Sequence, residues 1–464
     1  MQAASGRDAP DRCPGAVQVH PAADGGLARV RLPGGRLTAA QLGVLRGAAA
    51  ELGDPALELT SRGNVQVRAL RPGAERELAA RLFAAGLLPS ESHERVRNII
   101  ASPLSGLDGR GEVDVRPIVA GFDALLRATP ELAGLPGRFL ATIDDGRGDV
   151  TPLGGDVGLH GSRLLLAGRP TTAAGGAELL VRAAAAFQQE RVAQGSRAWR
   201  LVELEDGIAR VAARLGVTIT ANPINPIRPA NAASRATNGP LGRGAGDAAG
   251  RHTNKTTEQT SGGSTSGSGG RAAGVTEQGG GGSTGGSGGV VEQSDGALAV
   301  VVVVPLGLLT AERSAVLAES ANEMIVTPWR TVVLTGVPMR EAERTIARLA
   351  EVGLDADPAS PWAGVTACAG RPGCAKALAD VRADARAAVA AAGKREGPGA
   401  RAAVAVAGKR EGPDRRAAVA VADEREGPGA LPVHWAGCER RCGAPRGRHV
   451  EMVATGAGYR SATV

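Results

Sequence analysis

The sequence predicts an α+β protein whose folding unit is written twice. Three observations carry this: an internal duplication offset by about 267 positions, strand and helix periodicities alternating within each copy, and two cysteine pairs confined to the second copy. The duplication is read from ordered matches. "LPGGRLTAAQLGVL" (32–45) answers "VPLGLLTAERSAVL" (304–317), and "LELTSRGNVQVRAL" (57–70) answers "MIVTPWRTVVLTGV" (324–337), with Thr60 opposite Thr327. "RELAARLFAAGLLP" (76–89) answers "RTIARLAEVGLDAD" (344–357), placing Arg81, Leu82 and Gly86 opposite Arg348, Leu349 and Gly353. "IIASPLSG" (99–106) then falls opposite "VTACAGRPG" (365–373).

Each element follows from its local pattern. "GGLARVRL" and "ALAVVVVVPL" read as strands, and "LTAAQLGVLRGAAAELG" as a helix with Thr38 as its N-cap. "ALELTSRGNVQVRAL" alternates apolar and polar residues, the period of a half-buried strand. "GAERELAARLFAAG" reads as a helix ending at Gly86, because glycine supplies the left-handed turn that stops a helix. The segments divide as a disordered tail 1–24, half-domain 25–91, α/β domain 92–229, linker 230–296, half-domain 297–357 and α/β domain 358–464. The linker is rich in Gly, Ser and Thr and has too few apolar residues to offset chain entropy. Residues 386–430 repeat a 15-residue unit three times ("RAAVAAAGKREGPGA", "RAAVAVAGKREGPDR", "RAAVAVADEREGPGA"), which reads as a tolerated insertion rather than a solenoid.

Composition narrows the function classes. Aromatic residues make up 2% of the 464 residues against 43% hydrophobic, so the core must be built from Ala, Val and Leu. The formal charge is +7 and its cations are almost all arginine, which binds carboxylates and phosphates as a bidentate fork. Dense basic runs and interleaved aromatics are missing from the sequence, which argues against nucleic acid as a partner. The N-terminal stretch lacks an apolar signal region, and "ALAVVVVVPLGLL" is too short for a membrane span and carries a proline. A cytoplasmic protein is expected, with no membrane partner. In a reducing compartment clustered cysteines are metal ligands or redox groups more often than disulfides.

Four of the five cysteines form two pairs, Cys368 and Cys374 spaced C-x5-C, and Cys438 and Cys442 spaced C-x3-C. Zinc sites favour closer, more even spacings, whereas four soft thiolates at wider spacing suit a [4Fe–4S] cluster. "CAKALADVRADARAA" reads as helical, which would put Cys374 at a helix N-terminus where the macrodipole favours an anion. Cys13, in a Pro-rich tail, reads as a bystander. Asp144 and Asp145 in "TIDDGRGD" read as acid/base groups or as turn formers, with the following glycine favouring the turn. His434 reads as an iron ligand or as packing beside Cys438.

With these residues on view, the chain resembles the sulfite and nitrite reductases. "ACAGRPGC…GCERRCG" is similar to their cluster site, and "LTSRGNVQVR" and "RVRNIIASPLSG" to their tetrapyrrole-binding motifs. Within that superfamily it resembles the precorrin-3B synthases of aerobic cobalamin biosynthesis, on "ASPLSGLDGRGEVDVRP", "LPGRFLATIDDGRGD", "TPWRTVVL", "ACAGRPGCAKALADVRADA" and "LPVHWAGCERRCGAPRG".

The resemblance implies a duplicated nitrite/sulfite reductase-like architecture, in which two ferredoxin-like half-domains are each followed by a larger α/β domain for tetrapyrrole or cluster. It implies a [4Fe–4S] cluster on Cys368, Cys374, Cys438 and Cys442, with Cys442 in the place of the ligand that bridges to sirohaem iron in the reductases. It implies substrate-binding roles for Arg62, Gln66, Arg97 and Arg138. Leu140 replaces the second of two substrate-binding lysines, and Arg68 stands where a histidine is frequent. These departures favour the synthase over the reductases. The implied reaction is oxygen-dependent hydroxylation of precorrin-3A at C20 with γ-lactone closure, catalytic residues unassigned. Its partners would be the precorrin, O2 and a separate NAD(P)H-dependent reductase or ferredoxin, because no G-x-G-x-x-G follows a strand. A non-haem iron is implied as the oxygen-activating centre. The alternatives are a sirohaem-dependent sulfite or nitrite reductase, and a non-catalytic carrier of cluster or tetrapyrrole. In either case the first copy keeps the arginines and the second the cluster.

Overall fold

A computed structural model describes residues 11, 13–221, 288–393 and 431–464. Most of the linker, the greater part of the 15-residue repeats and residues 1–10 lie outside the described residues. Each copy opens with an antiparallel sheet backed by two helices. In the first copy the strands Gly25–Val30, Leu57–Leu59 and Val65–Leu70 carry the helices Ala39–Leu52 and Glu75–Ala84. In the second, Leu298–Val303, Glu323–Val326 and Thr331–Val337 carry Ala311–Ser320 and Ala342–Glu351. The Thr38 hydroxyl accepts from the Gln41 amide while the Gln41 side chain accepts from the Thr38 amide, a closed capping box. The Thr310 hydroxyl caps its helix by accepting from the Arg313 amide. Gly86 and Gly353 share a φ of +70°, the left-handed conformation predicted for the helix stop.

The two copies exchange a strand. Arg36–Thr38 of the first copy pairs antiparallel with Glu323–Val326 of the second, and Leu308–Leu309 of the second pairs with Leu57–Leu59 of the first. Both exchanged strands sit immediately before a threonine-capped helix, so the exchange is symmetrical. One core consequently runs through both copies, joining Leu42, Leu45, Val65 and Val67 to Val300, Leu317, Val332 and Leu334, all fully or almost fully buried. Burying each such side chain contributes roughly 1.5–3 kcal/mol, a driving force that needs no aromatic residue.

The duplication continues into the segments that follow. Ile99–Ala101, Ala141–Asp144 and Val157–His160 run parallel to one another, with Arg163–Leu166 antiparallel beside the last. Val365–Ala367, Val433–Ala436 and Val450–Ala454 repeat the parallel arrangement, with Tyr459–Thr463 antiparallel at the end. The loops leaving the first two parallel strands of each set are thus neighbours, at the end of a sheet where ligands commonly bind.

Several expectations change. The alternating stretch 56–70 is a hairpin, not one strand: its turn is closed by the Thr60 amide on the Asn64 carbonyl and the Gly63 amide on the Thr60 carbonyl. The tail read as disordered over 1–24 includes an ordered part, with His20–Ala22 paired to Gly25–Val30 and Asp24 bonded to Arg68. The stretch read as linker over 230–296 ends in a strand, Gly289–Glu292, zipped against Leu298–Val303. The insert read from 386 begins inside the helix Val381–Gly393, because its Ala-rich first unit continues that helix. No helix among the described residues is long and apolar enough to cross a membrane.

Candidate active site

The four cysteines stand at the ends of two neighbouring parallel strands. Cys368 follows Ala367 directly, and Cys438 lies two residues beyond Ala436. Backbone bonds knit the two loops: the Cys368 amide donates to the Trp435 carbonyl at 2.9 Å and the Leu378 amide to the Gly437 carbonyl at 2.8 Å. The Gly437 amide also donates to Cys368 Sγ at 3.1 Å, and a Cβ at Gly437 would lie 2.7 Å from the Ala377 side chain, so this approach requires glycine. All four thiols are free. Burial pushes the Cys442 thiol up, and the neighbouring Cys368, Cys438 and Cys374 push it further.

The four thiols do not form the compact shell of a single ion, whereas four soft thiolates on adjoining loops are the donor set a cluster takes. Zinc holds its thiolates roughly 3.8 Å apart, given Zn–S bonds of about 2.3 Å. Among the described residues, only Asp144, Asp145 and Asp149 form a group of three or more His, Cys, Asp or Glu with ligand atoms within 4.8 Å of one another. The sulphurs are therefore spread more widely than one ion's shell. Cys374 is not at a helix N-terminus: residues 371–380 fold as turns, held by Arg371 Nε on the Ala377 carbonyl. The helix starts at Val381, with Asp380 accepting from the Ala383 amide. What stabilises this loop is a set of arginines instead of a helix dipole.

Three arginines each donate to a carbonyl at or beside a cysteine. Arg382 Nε reaches the Cys368 carbonyl at 3.3 Å, Arg68 Nη2 the Gly373 carbonyl at 2.7 Å, and Arg330 Nη2 the Gly443 carbonyl at 2.9 Å. Arg330 is buried with φ of +62°, matching φ +64° at Gly63, its counterpart in the first copy. A non-glycine residue seldom holds this conformation, and here the guanidinium bond to the second cysteine loop comes with it. Burial lowers Arg330 to about 10.

A second arginine group lies on the first copy's side. Arg62 Nη2 donates to the Arg138 carbonyl at 3.0 Å, and burial together with Arg200, Arg29 and Arg446 lowers Arg62 to about 10. Burial, then Arg29 and Arg62, push Arg31 well below an arginine's usual range, and its Nη1 meets no hydrogen-bond partner. Arg138 lies 4.6 Å over the Trp199 ring. Arg446 donates to the Gly154 carbonyl at 2.9 Å and is lowered by burial and Arg200. The group grades from Arg31, which is buried, through half-buried Arg29, Arg62 and Arg200 to exposed Arg138 and Arg446, so its cations face outward from one buried end; guanidiniums gathered this way can pair with several carboxylates. Arg446 and Arg330 come from the second copy, so the arginines are not confined to the first.

The resemblance-based candidates therefore separate. Arg62 and Arg138 belong to the arginine group. Gln66 touches it from outside, accepting from Arg29 and donating to Glu58 at 3.1 Å. Arg97 is held elsewhere, forked onto Asp123 at 2.6 and 3.0 Å with little exposure. Arg97→Met is expected to destabilise the fold by about 3 kcal/mol, since it leaves Asp123 buried with only Arg127 beside it. The urea midpoint checks this, and an unchanged midpoint would restore Arg97 as a ligand-binding candidate. Sequence reading missed Arg29, Arg31, Arg200 and Arg446. The signal for the first pair is their alternation in "ARVRL", which places both on one face of a strand.

The acidic group reads as a turn. Asp144 accepts from the amides of Gly146, Gly148, Val150 and Thr151 and from the Thr151 hydroxyl, and Asp145 is forked by Arg147. Asp149 accepts from the Ser102 hydroxyl at 2.6 Å, while its other oxygen has no partner. Burial, with Asp144 nearby, raises Asp149 to about 7. His434 is fully buried, with Nδ1 2.9 Å from the Thr366 hydroxyl, and burial lowers it to about 3, so it packs as a neutral ring beneath the cysteine loops.

The nitrite/sulfite reductase ferredoxin-like half domain matches residues 20–85 and 291–352, the two copies recognised from the sequence. The chain is similar to the ferredoxin–nitrite reductase of Synechococcus elongatus, 35% identical over 127 residues, which are 26% of this chain and 25% of that protein. It is also similar to the ferredoxin–nitrite reductase of Leptolyngbya laminosa, 31% identical over 123 residues, 25% of this chain and 24% of that protein. The match thus spans about a quarter of each curated relative's length. The Mycobacterium tuberculosis NirA protein shares the fold with a TM-score of 0.62 at 18% identity, covering 94% of this chain and 73% of that one. The architecture is the duplicated half-domain arrangement of the nitrite/sulfite reductase superfamily that the sequence predicts.

Proposed function

We propose that this chain is a redox enzyme that holds a [4Fe–4S] cluster on Cys368, Cys374, Cys438 and Cys442 and seats a polycarboxylate tetrapyrrole on the arginine group. The observation carrying this is the convergence of four free thiols on adjoining loops, with a set of arginines linked to them through Gln66 and Glu58. When bound, the cluster supplies electrons singly. The chain's own residues then orient the macrocycle: Arg31, Arg62 and Arg446 present guanidinium groups to its carboxylates, with buried Arg31 at the inner end.

At finer grain, we read the tetrapyrrole as substrate: precorrin-3A becomes precorrin-3B by C20 hydroxylation and γ-lactone formation. One atom of O2 enters the macrocycle, the other leaves as water, and a donor protein provides two electrons. What supports this is Leu140, buried with Ile100 and Val150 at the position of a substrate-binding lysine in the reductases, and Arg138 stacked on Trp199. A small anion would meet an apolar side chain at that point. The named relatives favour a second reading, ferredoxin-fed reduction of nitrite or sulfite with sirohaem as resident cofactor. Anaerobic purification with iron and sulfide assay, a visible spectrum and turnover separates them. Cluster absorption alone, with precorrin-3A consumed under reductant and O2, is the expected result. Resident sirohaem bands with nitrite or sulfite turnover would replace the first reading by the second.

A further inference from the structure

Glu58 lies on Leu57–Leu59 in the first copy, yet its partners reach the cysteine loops of the second. It is buried, and it accepts from Arg382 Nη2 at 2.6 Å and from Gln66 Nε2 at 3.1 Å, and pairs with Arg68 at 3.5 Å. Glu58 also acts electrostatically on Arg330. Those three arginines are the ones that donate to the carbonyls of Cys368, Gly373 and Gly443. On its other side, sheet register places Glu58 opposite Gln66 and Gln66 opposite Arg29, so three side chains form a row across three strands. The row Arg29, Gln66, Glu58 therefore runs from the arginine group to the struts of the cysteine loops.

We propose that Glu58 is a positioning residue that fixes the two arginine struts on the first cysteine loop, Arg382 and Arg68, and links them, through Gln66, to the arginine group. The proposal rests on the cluster reading given above. One buried carboxylate between Arg382 and Arg68 offsets their repulsion, while Asp24 holds Arg68 from the other side, and among the described contacts Glu58 alone joins the two. Two consequences differ from those of a merely structural residue. Removing the negative charge leaves the cluster in a more positive field, which favours its reduced form. Cutting the row at Gln66 isolates the cluster from whatever occupies the arginine group.

The test uses the full chain in two states. In reconstituted protein, Glu58→Gln is expected to keep wild-type iron and sulfide and to favour cluster reduction about tenfold, a rise of ~59 mV in a one-electron titration. Glu58→Asp should restore most of the wild-type value. A tetracarboxylate porphyrin added as probe should shift the wild-type potential and leave that of Gln66→Ala unmoved. In metal-free protein, Glu58→Gln should speed iodoacetamide labelling of Cys368 and Cys374 at least threefold, read by mass spectrometry. An unchanged potential at full iron, or unchanged labelling, overturns the role of Glu58 while leaving the cluster assignment intact. A wild type that takes up no iron and sulfide refutes the cluster reading itself, and the labelling result then decides whether Glu58 orders the loops.

Discussion

Replacing Cys368 with serine is expected to reduce bound iron and sulfide to a minor fraction of wild type and to lower turnover about 100-fold or more. The reasoning is local. The Cys368 amide, carbonyl and sulphur are each held, by the Trp435 carbonyl, Arg382 and the Gly437 amide. The loop therefore cannot shift to offer another donor, and an alkoxide is a poor substitute for a soft thiolate on iron. Cys13→Ser supplies the contrast. Cys13 sits beside Asp11 and far along the chain from the other four, and burial together with Asp11 pushes its thiol up, so it should stay protonated and leave metal content unchanged. Iron, sulfide and visible absorbance measured on both variants check the pair. Full metal content in Cys368→Ser, or its loss in Cys13→Ser, would redraw the ligand set.

Asp149→Asn is expected to stabilise the protein by up to about 4 kcal/mol at pH 8 and by almost nothing near pH 4. Asp149 has a folded-state value of about 7 against 3.8 for an ordinary aspartate, raised by burial and then by Asp144. The folded protein thus binds this proton more tightly than the unfolded chain does. Its stability is complete below the unfolded value and is lost as pH rises from about 4 to about 7, at 1.36 kcal/mol for each unit. Asparagine keeps the oxygen that accepts from Ser102 and removes the charge that burial penalises. Urea midpoints for both proteins from pH 4 to pH 8 would show curves that coincide in acid and diverge toward neutrality. Parallel curves would mean that Asp149 is ionised and compensated in the folded state.

The half-domain elements, the helix cap at Thr38 and the helix stop at Gly86 were legible because each is written locally, and the duplication because those local signals recur in order. Thr38 and Gly86 speak for themselves within a few residues, and the C-x5-C and C-x3-C spacings mark candidates in the same way. What the sequence left hidden depends on partners far along the chain. Arg97 and Arg62 look alike in their motifs, yet one is forked onto Asp123 and the other sits among cations. Glu58 reads as one polar residue in an alternating strand, and only the pairing of Gln66 with it and with Arg29 gives it meaning. The 56–70 stretch kept strand periodicity through Thr60–Asn64, so the hairpin turn was invisible to period alone. Residues 371–380 have helical composition, but Pro372 and Gly373 and the need to hold Cys374 beside the second loop impose turns.

The exchanged strands also set an order of events during synthesis. Arg36 pairs with Ile325 and Arg36 bonds Glu323, residues 287 apart, so the first sheet and the second each wait for a strand from the other copy. Contacts so distant in sequence form late and slow the search for the native state. A nascent chain that has emerged only through the first copy presents an open strand edge at Leu57–Leu59 until Leu308–Leu309 is made. Translation of the long stretch between them is therefore a period of exposure, in which assistance from a chaperone has most to protect.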